Sequence, residues 1–328
     1  MFNNFVNIHD LSTIIKHSSK VFSRITPKQI LSKQERVKGA WAHTYNPIRN
    51  WWDIPAVKVR WNRLISGDPQ VDYYEYISRK YFVNKNSLLA LSLGCGTGHR
   101  ELRWAEQGNF SCIDAYDLSE LRIKNAINTV NQKGFGNIIN YHVGNVYRIE
   151  MRENHYDVIL GEQSLHHFSP LEEFLLRINK FLKPDGYFVV NEFVGPTRFQ
   201  WTDRQLEAVN GLLSILPARF KTMWDSDSIK TNMFKPGRLR MILSDPSEAV
   251  ESSSIEPLLH KIFEVVEVRE YGGTILQLLF KGIAHNFISE DAEAQRWLDI
   301  CFEVEDQLLA SRDIQSDFIL AVCKKRTL

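Results

Sequence analysis

From Leu88 onward, short apolar runs alternate with segments whose apolar residues recur every three or four positions. That alternation is the mark of βαβ units and a mostly parallel sheet. Strands are predicted at 88–93, 110–117, 137–145, 156–163 and 186–194, with helices at about 99–107, 118–134 and 170–183. Gly134 ends the second of these helices, and Pro184-Asp185-Gly186 reads as a turn after the third. Regularity lapses over 195–254, where Pro196, Pro217, Pro236 and Pro246 surround one predicted helix at 203–216. The strand pattern returns at 260–271 and 316–326, with helices at 274–287 and 291–310 between them. The expectation is an α/β chain with a doubly wound, seven-stranded, mostly parallel sheet over 85–328 and insertions at about 196–254 and 274–312. Residues 1–84 would form an N-terminal helical cap.

Composition changes this picture little. The 328 residues are 44% hydrophobic and 24% charged, enough to bury a sizeable core. A net charge of +1 gives no global basic field and argues against a nucleic-acid partner. Charge is uneven, however: residues 1–40 hold seven Lys or Arg against two acids, and Lys16, Lys20, Arg24 and Lys28 recur every fourth position. Such a stripe is either a solvated helix face or a surface for a partner or membrane, and Pro27 interrupts it. Cys95, Cys112, Cys301 and Cys323 lie far apart with no C-x-x-C pair, which fits a reducing compartment and neither a zinc site nor a disulfide framework. No apolar stretch reaches the length of a membrane span, and MFNNFVNIHDLS lacks the features of a signal peptide. A cytoplasmic protein is expected, and the chain is compatible with a homodimer.

The chemistry begins at LLALSLGCGTGHRE (88–101), where Gly94, Gly96 and Gly98 separate a strand from a helix. Glycines cluster where the backbone must turn sharply or approach a ligand, and a helix start there suits polar or anionic groups. A P-loop would require Lys at a spacing where none stands, and a dinucleotide fingerprint would require G-x-G-x-x-G, whereas this turn is G-x-G-x-G. Open α/β sheets bind ligands at the carboxyl ends of their strands. There the second strand ends in Asp117, suited to a ribose diol, and the third in Gly144-Asn145-Val146, where an amide can meet a purine edge. The fourth ends in Gly161-Glu162-Gln163-Ser164, followed by LHHF.

The series LSLGCGTG, DAYDLS, GN, YDVILGEQSLHHF and FLKPDGYFVVNEF resembles class I S-adenosylmethionine-dependent methyltransferases, over about 85–195 and again 255–326. NEFVGPTRFQWTDRQLEAVN is further similar to a bacterial subgroup linked to sugar or natural-product tailoring. The resemblance implies a Rossmann-like methyltransferase fold and S-adenosyl-L-methionine as cofactor. The turn Gly94, Cys95, Gly96, Thr97 and Gly98 would line its methionine part. Asp117 would hold the ribose hydroxyls, with Leu118, Asn145 and Val146 beside the adenine and the backbone of Gly161 and Glu162 at the amino group. Asn145 departs from the Asp usual in the family, yet an amide still offers a donor and an acceptor.

Methyl transfer to a hydroxyl needs a base, whereas a neutral amine needs little help and a carboxylate none. His166 and His167 after the fourth strand and Glu192 near the end of the fifth are the candidates, and His167 with Glu192 could converge on the acceptor. Trp51, Trp52, Phe199 and Trp201 either bind a ring substrate or pack the cover. No [DN]-P-P-[FY] follows strand four, no Pro-Cys pair exists, and no acidic triad for magnesium is evident. A small molecule, sugar or peptide substrate is therefore expected, with no nucleic acid and no metal. The competing readings are a non-catalytic binding subunit of the same fold and an NAD-dependent oxidoreductase.

Overall fold

YDVILGE is buried along almost its whole length because it sits at the centre of a sheet covered on both faces. The computed structural model describes residues 50–326; the basic stripe and most of the expected cap lie outside that range. The strands are β1 (Leu88–Leu93), β2 (Phe110–Asp117), β3 (Ile139–Val143), β4 (Tyr156–Glu162), β5 (Leu182–Phe193), β6 (Glu264–Glu270) and β7 (Phe318–Lys324). They form one seven-stranded sheet in the order β3-β2-β1-β4-β5-β7-β6. The first five run parallel, and β7 is antiparallel to both β5 and β6. The chain winds outward from β1 to β3 and returns on the other side at β4, so a ligand crevice opens at the carboxyl ends of β1 and β4.

Alternation along each strand divides the core. Ala90, Val158 and Leu160 face one apolar cluster, whereas Leu91, Leu93 and Ile159 face the other. Helices α1 (Pro55–Ser66) and α2 (Tyr73–Tyr81) join the first cluster through Val57, Ile65, Tyr74 and Ile77. Pro55 opens α1 where no amide partner is required, and Gly67, at φ 87°, closes it. Asp72 caps α2 by accepting from Glu75 N. The α/β alternation continues with α3 (His99–Ala105), α4 (Glu120–Gln132) and α5 (Leu171–Phe181).

Three local expectations change. Pro184-Asp185-Gly186 is an irregularity inside β5 rather than a break before it, with Tyr156 opposite Leu182 and Val158 opposite Tyr187. The strand expected from 260 begins only at Glu264, because Ile255–Ile262 forms an amphipathic helix burying Ile255, Leu259 and Ile262. The helix expected over 274–287 is a short one at Leu276–Phe280, followed by Gly282 at φ 82° and a single tight turn at Ala284–Phe287. The remaining helices are Asp203–Ile215, Arg238–Ser244 and Ala292–Ala310. No helix among the described residues is long and apolar enough to cross a membrane.

Candidate active site

The glycine turn after β1 carries left-handed backbone at all three glycines, with φ 75° at Gly94, 58° at Gly96 and 80° at Gly98. Their reasons differ. A Cβ on Gly94 would stand 2.8 Å from Ser164 Cβ, and one on Gly98 would strike the Tyr141 hydroxyl and lie 2.9 Å from Ala126 Cβ. Those two glycines let the turn pack against its neighbours. A Cβ on Gly96 would meet only the Arg122 guanidinium, at 3.4 Å, so its open side is left for a ligand. Asp117 at the end of β2 accepts from Gly96 N at 2.9 Å and from Ser119 N at 2.8 Å. Each of its oxygens keeps a further lone pair for a diol. Asn145 Oδ1 accepts from Tyr147 N at 3.0 Å, as an Asp would, leaving the Nδ2 group as a donor. Val146 is buried, Leu118 half-buried and Thr97 exposed. Cys95 is buried and its thiol is pushed well up by that burial, so it packs rather than reacts.

Gly161 and Glu162 close β4 beside this turn. The Glu162 carboxyl is buried and accepts from the Tyr73 hydroxyl at 2.7 Å and from Trp104 Nε1 at 2.9 Å, tying α2 and α3 to the strand end. Burial opposes the charge of Arg100, in the first turn of α3, but its acidic neighbours Glu162 and Glu101 favour that charge and its pKa is raised. Neither Arg100 nor the Tyr73 contact was accessible to sequence reasoning, since Tyr73 and Glu162 lie 89 positions apart.

The two histidines occupy a tight turn, Leu165–His167, after β4. Glu192, at the end of β5, is wholly buried. Its Oε1 accepts from the amides of Ser164 and Leu165, and its Oε2 accepts from Phe193 N at 2.9 Å and from His166 Nδ1 at 2.6 Å. Both oxygens are thus committed, so Glu192 orients an imidazole instead of meeting an acceptor itself. The imidazole is that of His166, not the His167 expected as its partner. Burial opposes the charged form of His166, but Glu192 outweighs it and raises the pKa; His167 is lowered by its own burial and by His166. The two rings lie 4.1 Å apart between centroids. His167 Nδ1 meets Ser247 Oγ at 3.3 Å, and that hydroxyl donates to Asp245 at 2.6 Å. Glu248, two residues from the expected proline at 246, brings a carboxylate oxygen to 3.8 Å from His166 Nε2.

The aromatic candidates divide. Trp51 is 1% exposed and packs edge-on to Trp61 at 4.7 Å and against Phe318 at 5.1 Å. Trp201 is equally enclosed, stacked on Phe199 at 5.3 Å. Both therefore serve the core, and only Trp52, which is exposed, and half-buried Phe199 present surface.

Residues 91–190 match the family described as Methyltransferase domain. The chain is 28% identical over 204 residues to "Arginine-hydroxylase NDUFAF5, mitochondrial" of Mus musculus, covering 56% of this chain and 57% of that one. It is 25% identical over 174 residues to "Ubiquinone biosynthesis O-methyltransferase" of Rickettsia akari, covering 50% and 59%. The matches thus span little more than half the length of these curated relatives. A solved structure of geranyl diphosphate methyltransferase in complex with GPP and sinefungin superposes with a TM-score of 0.51 at 11% identity, over 90% of this chain and 100% of that one, a likeness of fold alone. With its glycine turn and strand-end acid, the stretch 91–190 carries the match to a methyltransferase domain, and the seven-stranded sheet around it is that of the Rossmann-like methyltransferase fold.

Proposed function

We propose that this protein binds S-adenosyl-L-methionine and transfers its methyl group to an oxygen or nitrogen of a small molecule, sugar or peptide-derived acceptor, a hydroxyl being favoured. When bound, the cofactor supplies a methyl group already activated on sulfonium sulfur. The open side of Gly96 and the backbone of Gly161 and Glu162 would receive its methionine part, with Arg100 as counter-charge to the carboxylate. Asp117 would accept from both ribose hydroxyls, and Asn145 Nδ2 would donate to the adenine edge beside Leu118 and Val146.

The observation that carries the acceptor assignment is the 2.6 Å bond between Glu192 and His166 Nδ1. It fixes the ring and leaves the Nε2 lone pair to take a proton from a hydroxyl, the arrangement of a base held by an orienting carboxyl. His166 is therefore assigned as the base and Glu192 as its positioning residue. Alignment of acceptor and methyl contributes several kcal/mol more in reactions of this kind.

Calorimetry with S-adenosylmethionine and with NAD tests the cofactor, and labelled methyl incorporation from cell extracts tests the transfer. Binding of S-adenosylmethionine but not NAD, with label entering a small molecule, is expected. Binding without any incorporation would favour a non-catalytic subunit; binding of NAD alone would sink the proposal.

A further inference from the structure

The cluster formed by His166, His167 and Glu248 has a use beyond proton transfer. One ligand atom from each of the three lies within 4.8 Å of the others. The two imidazoles are oriented from behind in the same way. His166 Nδ1 donates to Glu192 at 2.6 Å, which places its lone pair on Nε2, facing Glu248 at 3.8 Å. Ser247 donates its hydroxyl proton to Asp245, so His167 Nδ1 is the donor to Ser247 and its lone pair also lies on Nε2. A carboxyl or carboxyl-backed hydroxyl behind each ring nitrogen is the outer arrangement that holds metal-ligating histidines in one tautomer.

The loop that presents Glu248 is itself fastened to the site. Val250 N donates to His166 O at 3.0 Å, Arg198 N donates to Ala249 O at 2.7 Å, and the Arg198 guanidinium donates to the carbonyls of Pro246 and Glu248. His166 is buried, whereas His167 and Glu248 are partly exposed, so an ion can enter from the solvent side.

We propose that His166, His167 and Glu248 hold a divalent transition-metal ion of the zinc type. Two neutral imidazoles and one carboxylate suit zinc and its neighbours and not magnesium or calcium, which select oxygen. Ion and acceptor proton compete for the same His166 lone pair, so the ion silences methyl transfer. That consequence rests on His166 being the base; the binding does not.

Full-length protein, stripped of metal and free of any polyhistidine tag, is titrated with zinc chloride in a calorimeter and with cobalt(II) in a spectrophotometer. One equivalent of zinc is expected, with cobalt bands of a nitrogen and oxygen site. Glu248→Gln and His167→Ala should each weaken zinc by about tenfold or more while keeping the parental circular dichroism and Tm. No uptake by the parent, unchanged uptake by both variants, or a cobalt–thiolate band from the four cysteines overturns the site. Zinc should abolish methyl transfer by the parent and spare Glu248→Gln; full activity of the zinc-saturated parent overturns the competition. Because uptake is measured without cofactor or acceptor, failure of the methyl-transfer reading leaves the titration decisive.

Discussion

Glu192 and Glu305 are both wholly buried acids that gather three backbone amides each, yet they end in different chemistry. Glu305, on the helix Ala292–Ala310, accepts from Gly273 N, Ile275 N and Leu276 N at 3.0–3.2 Å and pairs with Arg60 at 3.2 Å. Burial pushes its carboxyl up, and Arg60 pulls it back. Glu192 gathers Ser164, Leu165 and Phe193 in the same manner, but its fourth partner is His166. A guanidinium has no lone pair and does not titrate, so no proton passes through Arg60, whose other partners are Asp306 and the Tyr271 carbonyl, and the Glu305 network serves the fold. An imidazole carries its orientation through the ring to a second nitrogen that exchanges protons near neutral pH. With equal burial and equal amide contacts, the fourth partner is what separates the two acids, and on the proposed reading it makes Glu305 structural and gives Glu192 a part in the reaction.

The largest expected effect falls on His166. His166→Ala should lower kcat by about 10²–10⁴-fold with cofactor affinity unchanged, measured by steady-state kinetics beside calorimetry. A loss confined to cofactor affinity would place His166 at the wrong end of the site. Glu305→Ala should instead cost about 3–5 kcal/mol in urea unfolding, because three buried amides lose their acceptor and buried Arg60 keeps only Asp306 as an ion-pair partner. Its kcat per folded molecule should stay near the parent's; a hundredfold fall there would erase the distinction drawn above.

On the proposed reading, Asp117→Ala removes the acceptor for the ribose diol and should weaken S-adenosylmethionine by about 10- to 150-fold in calorimetry. Equal affinity in parent and variant would show that the β2 end is not where the ribose lies. The smallest effect concerns a third buried acid. Glu101 lies under the glycine turn with only Ser92 bonded to its Oε1, and burial raises it to about 7. A carboxyl whose folded value is raised adds stability below its unfolded value and loses that stability as pH rises through the folded one. Glu101→Gln should therefore gain Tm relative to the parent between pH 5 and 8, by a few degrees; a constant difference across that range would mean Glu101 does not titrate in the folded protein.

What was legible in the sequence follows the same division. The strands β1, β2 and β4 and the glycine turn announce themselves because local rules suffice: buried parallel strands read as apolar runs, and left-handed turns require glycine. The boundary near residue 260 was missed because IEPLLHKI and the following strand share one apolar stretch, and only tertiary packing separates the helix from the strand. The proline-rich stretch at 195–254 concealed Asp245, Ser247 and Glu248, which reach the histidines across some 80 positions through a loop that no periodicity describes. Whether Trp51 and Trp201 bind a ring substrate or pack the cover stayed open, because sequence cannot distinguish an aromatic facing a crevice from one facing a core. Glu192 was visible as a strand-end acid, but its partner was not. Which of two adjacent histidines turns inward depends on the Leu165–His167 turn, not on either residue's identity.

The central claim is that Glu192 acts through His166, and Glu192→Gln measured for kcat, cofactor affinity and pH profile together tests it most directly. The side chain keeps its shape, so binding of S-adenosylmethionine should hold while kcat falls by about 100-fold or more. Because Glu192 raises the His166 pKa, the acid limb of the kcat profile should also move to lower pH. A variant with parental kcat and an unmoved acid limb, altered only in Tm, would make Glu192 a second Glu305 and contradict the account.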